Sequence, residues 1–302
     1  MPTRPPALSD RRPACLCVLA SGSSGNCSVL LRRTERGVRG MLIDAGLSPR
    51  RTRRLLSEHG VPVSIIDDVL LTHLDSDHFH SGWLRELDAK FGELRATLRV
   101  HQNHARRLDE LGPPPRRLEL FDDAIGLPGV DVSSSLLSHD RLGVAVFRFE
   151  FAGERPASLG YATDLGRPSD ELTLRLHNVD TLAIESNYCP ELQRRSPRPG
   201  YLKARIMGGG GHLSNEQCAA TVRRIAPRRR VVLLHLSRQC NTPELALAPH
   251  AGAPYEVLLT SQTIPTPWLG LDAREPGSRP APPPARIETL PLFPRAAGSA
   301  GL

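Results

Sequence analysis

The stretch VLLTHLDSDH, residues 69–78, runs an apolar segment straight into a cluster of potential metal donors. Val69, Leu70 and Leu71 read as the end of a buried strand, and His73, Asp75, Asp77 and His78 follow at once. Imidazole nitrogen and carboxylate oxygen are donors for zinc, iron and the harder divalent cations. On an extended segment residues 73 and 75 project to the same side. Adjacent Asp77 and His78 can turn toward a second ion.

The same placement recurs along the chain. His139 follows SLLS, Asp164 follows GYAT, Glu185 follows TLAI and His235 follows VVLL. One reactive residue at a strand end is ordinarily a satisfied edge residue, but five point to a common locus, because strand ends on one side of a sheet converge where sites assemble. The candidate ligands are His73, Asp75, Asp77, His78, His139, Asp164 and His235, nitrogen and oxygen donors without a thiolate. A single tetrahedral ion takes about four ligands. This set suits two divalent cations with a bridging carboxylate, a pair able to hold an attacking hydroxide and polarise a phosphoryl or carbonyl oxygen.

Around these positions, strand-like runs (CLCVLA, SVLLRR, GMLIDAG, DDVLLT, ATLRVH, VAVFRFEF) alternate with helix-like segments, which predicts an α/β layered fold. SPRRTRRLLSEHG carries Ser48 as N-cap, Pro49 at the first helical position and Gly60 beyond the end. Further helices are expected over 81–92, 103–112 and 214–226, the last capped by Ser214 or Asn215. Cys15 and Cys17 alternate and belong on one strand face. Residues 1–13 and 269–302 are rich in Pro with Arg, Gly or Ala and are expected to be disordered tails, leaving one domain over 14–268.

The 302-residue chain is 39% hydrophobic, enough for a real core, and shows no apolar run long enough for a membrane span. Its N-terminus lacks the apolar core of an export signal. Six scattered Cys without a CxxC pair fit reduced thiols and a cytoplasmic location. The formal charge is +7, and only Lys90 and Lys203 among the 39 basic residues are lysine. Arg presents a planar fork of donors suited to phosphate, so the balance permits a nucleic-acid partner.

THLDSDH with the later His139, Asp164 and His235 resembles the metallo-β-lactamase superfamily, whose signature is His-x-His-x-Asp-His. The likeness spans about residues 14–260. LASGSSGNCSVL, YATDLG, IESNY, YLKARIMGGGGHLSNEQ and LLHLSRQCNTPE look more narrowly like the YycJ/WalJ branch, described as DNA exonucleases. The resemblance implies a four-layer αββα sandwich with two metals at one edge, Mn or Zn rather than iron. It implies that His73, Asp75 and His139 hold one ion, that Asp77, His78 and His235 hold the other, and that Asp164 bridges. Where the signature has its second His, this chain has Asp75, an anionic, harder ligand that favours oxygen-loving ions such as Mn²⁺. Order along the chain also places Glu185 and His212 where tRNA 3′-processing enzymes of this superfamily keep an acid/base pair. Breaking a phosphodiester requires protonating an alkoxide, which an oriented His can do near neutral pH.

The expected catalytic residues are therefore Asp77, Glu185 and His212. Arg194, Arg195, Arg198, Lys203 and Arg205, between Glu185 and His212, are candidates for phosphate contact. MGGGGH lacks the Gly-Lys-Ser/Thr of a P-loop, so its glycines serve a turn or a close backbone approach. His80, His101 and His104 are expected to stand outside the site, and Arg50–Arg54 and Arg228–Arg230 to be solvated. The reading that follows is a two-metal phosphodiesterase acting on DNA. The alternatives are a flavodiiron-like iron site, an esterase or lactonase with an apolar pocket, and a non-catalytic binding protein in which Asp75 marks decay.

Overall fold

Strand β1 (Ala14–Ala20) shows how alternation divides the core: Cys15, Cys17 and Leu19 face a helix layer, whereas Leu16 and Val18 face a second sheet. Strands β2 (Cys27–Thr34) and β3 (Gly37–Ile43) extend it as an antiparallel meander. Helix α1 (Pro49–Glu58), β4 (Ile66–Leu70), α2 (Gly82–Glu86), β5 (Thr97–His101), α3 (Ala105–Leu111) and β6 (Leu118–Phe121) follow, with β3 to β6 parallel.

The second half opens with antiparallel strands β7 (Ala124–Leu127), β8 (Val130–Leu137), β9 (Val144–Phe151) and β10 (Ala157–Ala162). It continues through α4 (Asp170–Arg175), β11 (Thr181–Glu185), α5 (Pro190–Arg195), α6 (Gly200–Met207) and α7 (Asn215–Ile225). Strand β12 (Arg230–Leu234), α8 (Pro243–Leu247), β13 (Glu256–Leu259) and β14 (Leu269–Leu271) complete the order. The computed structural model describes residues 4–88, 94–139 and 141–272.

Two seven-stranded sheets result, ordered β14-β1-β2-β3-β4-β5-β6 and β13-β12-β11-β10-β9-β8-β7. Leu16, Leu30, Met41 and Ile43 of one pack against Phe147, Phe149, Leu159 and Val232 of the other. Each fully buried Phe or Leu contributes about 1.5–3 kcal/mol here. Outside the first sheet lie Leu55, Leu56, Trp83 and Leu108 from α1, α2 and α3. Leu172, Cys218, Val222 and Ala246 from α4, α7 and α8 cover the second. This is the expected four-layer αββα sandwich. No helix among the described residues is long and apolar enough to cross a membrane.

Local signals set the helix ends. The Ser48 hydroxyl accepts from the Arg51 amide, Pro49 opens α1, and Gly60 takes a left-handed φ of 71° just beyond it. At α7 the cap is Ser214: its hydroxyl accepts from the Gln217 amide while the Gln217 side chain accepts from the Ser214 amide. Asn215 is thereby released for another contact. Helix α2 ends at Glu86, short of the expected 81–92, and residues 89–93 lie outside the described set.

Both tail boundaries need correction. Leu269–Leu271, assigned above to the disordered C-terminal tail, pairs antiparallel with β1, and Arg229 meets Asp272. Leu269 and Leu271 are alternating apolar positions that close the open edge of β1, a role visible only once that edge exists. At the other end, Leu8 packs on the helix-side core, Ser9 bridges to Arg12, and Arg12 lies 4.0 Å from Asp272. The remaining tail residues, 1–3 and 273–302, are outside the described set. Arg230, expected on the solvated surface, is buried and donates to Glu256 at 2.8 Å.

Candidate metal centre and substrate cavity

The strand ends do converge. His73, Asp75 and His139 each offer one donor atom within 4.8 Å of the others, and so do Asp77, His78 and His235. Asp164 joins His73 and His78 in one such group and Glu185, His212 and His235 in another. Both triads that the resemblance implies are thus present in space, with Asp164 between them. His73 and His78 lie with ring centroids 4.1 Å apart. Asp75 is the most open member, its side chain 47% exposed at 3.9 Å from His73 Nε2.

The backbone bends sharply to make this possible. Asp44, Asp164 and His235, just past the ends of β3, β10 and β12, have φ of 60°, 50° and 55°. Left-handed conformations in non-glycine residues cost energy and persist only where surrounding contacts enforce them, as they commonly do at functional sites. Gly46 is demanded by proximity: a Cβ there would stand 1.8 Å from the Asp77 carbonyl oxygen. That approach presses the Asp77–His78 turn against the strand ends.

Hydrogen bonds set the imidazole tautomers. Carbonyl and carboxylate oxygens only accept, so His139 Nδ1–H donates to the Gly211 carbonyl at 3.0 Å and His78 Nδ1–H to Asp44 at 2.8 Å. Thr72 Oγ1 gives its own proton to Asp44 and accepts from His73 Nδ1–H at 3.0 Å. All three rings therefore turn Nε2 away from these partners and toward the donor cluster, where His78 Nε2 also lies 2.9 Å from the Asn26 side-chain nitrogen. An Nδ1–H held in this way orients metal-binding histidines. Asp44, fully buried, is absent from the sequence-derived list. It also follows an apolar strand, in the run MLID, so the strand-end rule that found the other residues applies to it too.

Several atoms at this locus are buried without an aligned hydrogen-bond partner among the described residues: His73 Nε2, both Asp164 carboxylate oxygens and both His235 ring nitrogens. The Asp164 oxygens meet the imidazoles of His78, His212 and His235 only as close ion pairs. An unsatisfied buried polar atom costs about 1–3 kcal/mol. These atoms belong to the donor groups that meet at Asp164, and their types bind divalent cations, so the residue set fits metal ions.

Charge in the metal-free protein follows from this crowding. Burial lowers the His78 and His235 pKa values, but Asp164 outweighs it and holds both imidazoles well above their ordinary value. Burial and the neighbouring His78 keep His73 well below its own. Burial acts to raise Asp164, yet the His235 and His78 cations hold it well below the usual carboxylate range. Cations entering the site must displace the protons on His78 and His235. Affinity for Mn²⁺ or Zn²⁺ should therefore rise with pH through the neutral range, by up to about tenfold per pH unit for each proton displaced. Calorimetric titration at pH 7 in buffers of different ionisation enthalpy reads this directly; binding without proton release would contradict the assignment.

Beside the donors, His212 Nδ1 lies 2.6 Å from Glu185 Oε1 and 3.1 Å from Asp164 Oδ1. Glu185 is fully buried, and its Oε2 accepts from the Leu165 amide at 2.8 Å and the Leu213 amide at 3.2 Å. Burial lowers the His212 pKa, but Glu185 overcomes it and pushes the value up to about 9. His212 is thus a cation at neutral pH in the metal-free protein.

A cavity of about 290 Å³ opens over these groups, lined by Asp75, Asp77, His139, Asp164, His212 and His235 and by Ser23, Asn187, Arg198, Leu202, Arg205, Ile206, Leu236 and Ser237. The expected basic cluster divides here. Arg198 and Arg205 reach the cavity; Arg194, Arg195 and Lys203 do not line it. Arg195 pairs with Glu191 one turn back along α5, and Lys203 donates to the Arg194 carbonyl. The break between α5 and α6 that carries Arg198, together with helical phase within α6, made that division. His80 is exposed, accepting from the Gly82 amide, and His101 lies 3.4 Å from Asp122, so neither joins the site.

A family described as "Beta-lactamase superfamily domain" matches residues 39–236. Exodeoxyribonuclease WalJ of Streptococcus pneumoniae is 32% identical over 234 residues, covering 76% of this chain and 84% of the relative. Exodeoxyribonuclease YycJ of Bacillus anthracis is 27% identical with the same shares covered. Among solved structures, the metallo-β-lactamase fold protein YhfI from Bacillus subtilis superposes with a TM-score of 0.64, covering 84% of this chain and all of its own at 15% identity. The convergent strand ends and these matches agree: the chain belongs to the metallo-β-lactamase superfamily, in the branch that holds WalJ and YycJ.

Proposed function

We propose that this chain is a metal-dependent hydrolase that cleaves phosphodiester bonds of DNA from an end. The observation that carries the reading is one cavity lined by members of both donor triads and by Asp164, with His212 backed by the buried Glu185 carboxylate and a fixed arginine beside it. The names of WalJ and YycJ, related over most of their length, support the exonuclease assignment.

In this reading His73, Asp75 and His139 would hold one divalent cation and Asp77, His78 and His235 the other, with Asp164 a donor available to each group. Cations bound there supply the Lewis acidity that lowers the barrier to attack on phosphorus. The side chains do the rest. Arg198 holds a non-bridging phosphate oxygen, with Arg205 beside it. His212 presents Nε2 to the leaving alkoxide and delivers a proton there. Glu185 keeps His212 Nδ1–H in place and favours the cationic ring. Of the cavity's lining only Leu202, Ile206 and Leu236 are large and apolar, which is poor lodging for the acyl group of an ester or lactone substrate.

The test is a substrate and metal panel. Chelated protein reloaded with Mn²⁺ should release mononucleotides from linear DNA and leave covalently closed circles intact. Asp75→His should shift the preferred ion toward Zn²⁺. Cutting of closed circles, or ester hydrolysis without phosphodiester cleavage under either ion, would overturn the reading.

A further inference from the structure

Tyr201 is the one aromatic among the exposed large hydrophobic side chains of the described residues, 77% open to solvent. It stands in the first turn of α6, the helix that contributes Leu202, Arg205 and Ile206 to the cavity wall. Leu202 and Ile206 anchor that helix on Tyr188 and Cys240. At about 100° of rotation per residue, Tyr201 lies roughly 40° around the helix from Arg205. The ring is therefore displayed beside the cavity's basic rim, on an element fixed by packing.

Arg198, just before α6, is held from three sides. Its Nε donates to Gln239 Oε1 at 3.2 Å, one terminal nitrogen donates to Gln193 Oε1 at 3.2 Å, and the other donates to Ser237 Oγ at 3.4 Å. All three acceptors are neutral. The guanidinium is fixed in place while its charge stays available to an anion, unlike Arg195, whose charge Glu191 meets. Arg205 has no ion pair among the described residues.

A positioned cation and a second cation on the wall of one cavity, with an exposed aromatic ring on the helix that carries that wall, match the chemistry of a nucleotide. Arginine forks suit phosphate, and aromatic rings stack on any base. The cavity, about 290 Å³, is at the small end of ligand pockets and favours a single nucleotide over a base-paired end. We propose that Arg198, Tyr201 and Arg205 form a clamp for the unpaired terminal nucleotide of a DNA strand. The arginines hold its flanking phosphates, and Tyr201 stacks on its base. The proposal rests on the phosphodiesterase reading above and adds to it a demand for a frayed or single-stranded end.

The test is binding, read by fluorescence anisotropy on the metal-loaded protein with phosphorothioate single strands that resist cleavage. One strand ends in thymidines and the other carries abasic residues at both ends. The intact protein should bind the thymidine-ended strand about tenfold or more tightly. Tyr201→Ala should lose that preference and bind the two alike, Tyr201→Phe should keep it, and Arg198→Ala should weaken both and flatten the salt dependence. An unchanged preference in Tyr201→Ala, or an equal loss on both strands, would overturn the clamp. Cleavage of ordinary strands is scored separately. Tyr201-dependent binding without cleavage would sink the hydrolytic reading alone, and cleavage with binding indifferent to Tyr201 would sink the clamp alone.

Discussion

Asp164→Asn should leave the protein folded and, on the two-metal proposal, abolish binding of a second metal equivalent and phosphodiesterase activity. Asp164 is the residue shared between the donor groups, and it is 2% exposed with a left-handed φ of 50°. Asparagine has nearly the same shape and tolerates that conformation, so backbone strain is not the variable. The variable is charge. The carboxylate balances buried imidazoles on both sides, with His235 Nδ1 at 2.5 Å and His73 Nε2 at 3.7 Å. A neutral amide has one oxygen where the proposed centre would draw on an anionic carboxylate shared between two donor groups. Turnover should fall by more than the roughly 10²–10³-fold seen when one preorganised donor is removed from a site, and elemental analysis should show fewer than two ions per chain. Two ions and full turnover in this variant would remove Asp164 from the centre.

His212→Ala should behave in the opposite way toward metal. Both triads remain intact, so metal content should hold while turnover drops about 10²–10⁴-fold, the usual contribution of a positioned acid. The pH dependence carries a signature. An acid works only while protonated, so activity of the intact protein should fall as pH rises through the His212 pKa; Glu185 sets that value high, about 9 in the metal-free protein. The variant should lose this alkaline limb. Glu185→Gln should move the limb to lower pH, because the amide no longer favours the imidazolium. Glu185 is buried, and losing its nearest cation removes part of what offsets its desolvation. Thermal melts of both variants therefore accompany the kinetics. Loss of metal from His212→Ala would make His212 a ligand and end its assignment as the acid.

The sequence alone determined the layered fold and where the candidate donors stand, for a common reason. Apolar alternation must be buried, and a His, Asp or Glu placed just after an apolar run sits where the strand emerges from the core. His73, His139, Asp164, Glu185 and His235 were legible in this way, and a local cluster added Asp75, Asp77 and His78. Helix ends at Ser48, Pro49 and Gly60 were equally local, being decided by backbone valence within one turn. Only the tertiary structure decided matters that depend on what lies opposite. Asp44 acquires its role because His78 and Thr72 fold onto it from 34 and 28 residues away. Leu269–Leu271 becomes a strand because β1 leaves an edge to pair with. The basic string 194–205 separates into cavity and solvent because the link between α5 and α6 sets Arg198, and α6 sets Arg205, at the cavity, while α5 spends Arg195 on Glu191. Local sequence specifies propensity and periodicity, whereas a side chain's partner across a fold is set by where two distant segments are packed together, and no window along the chain contains both.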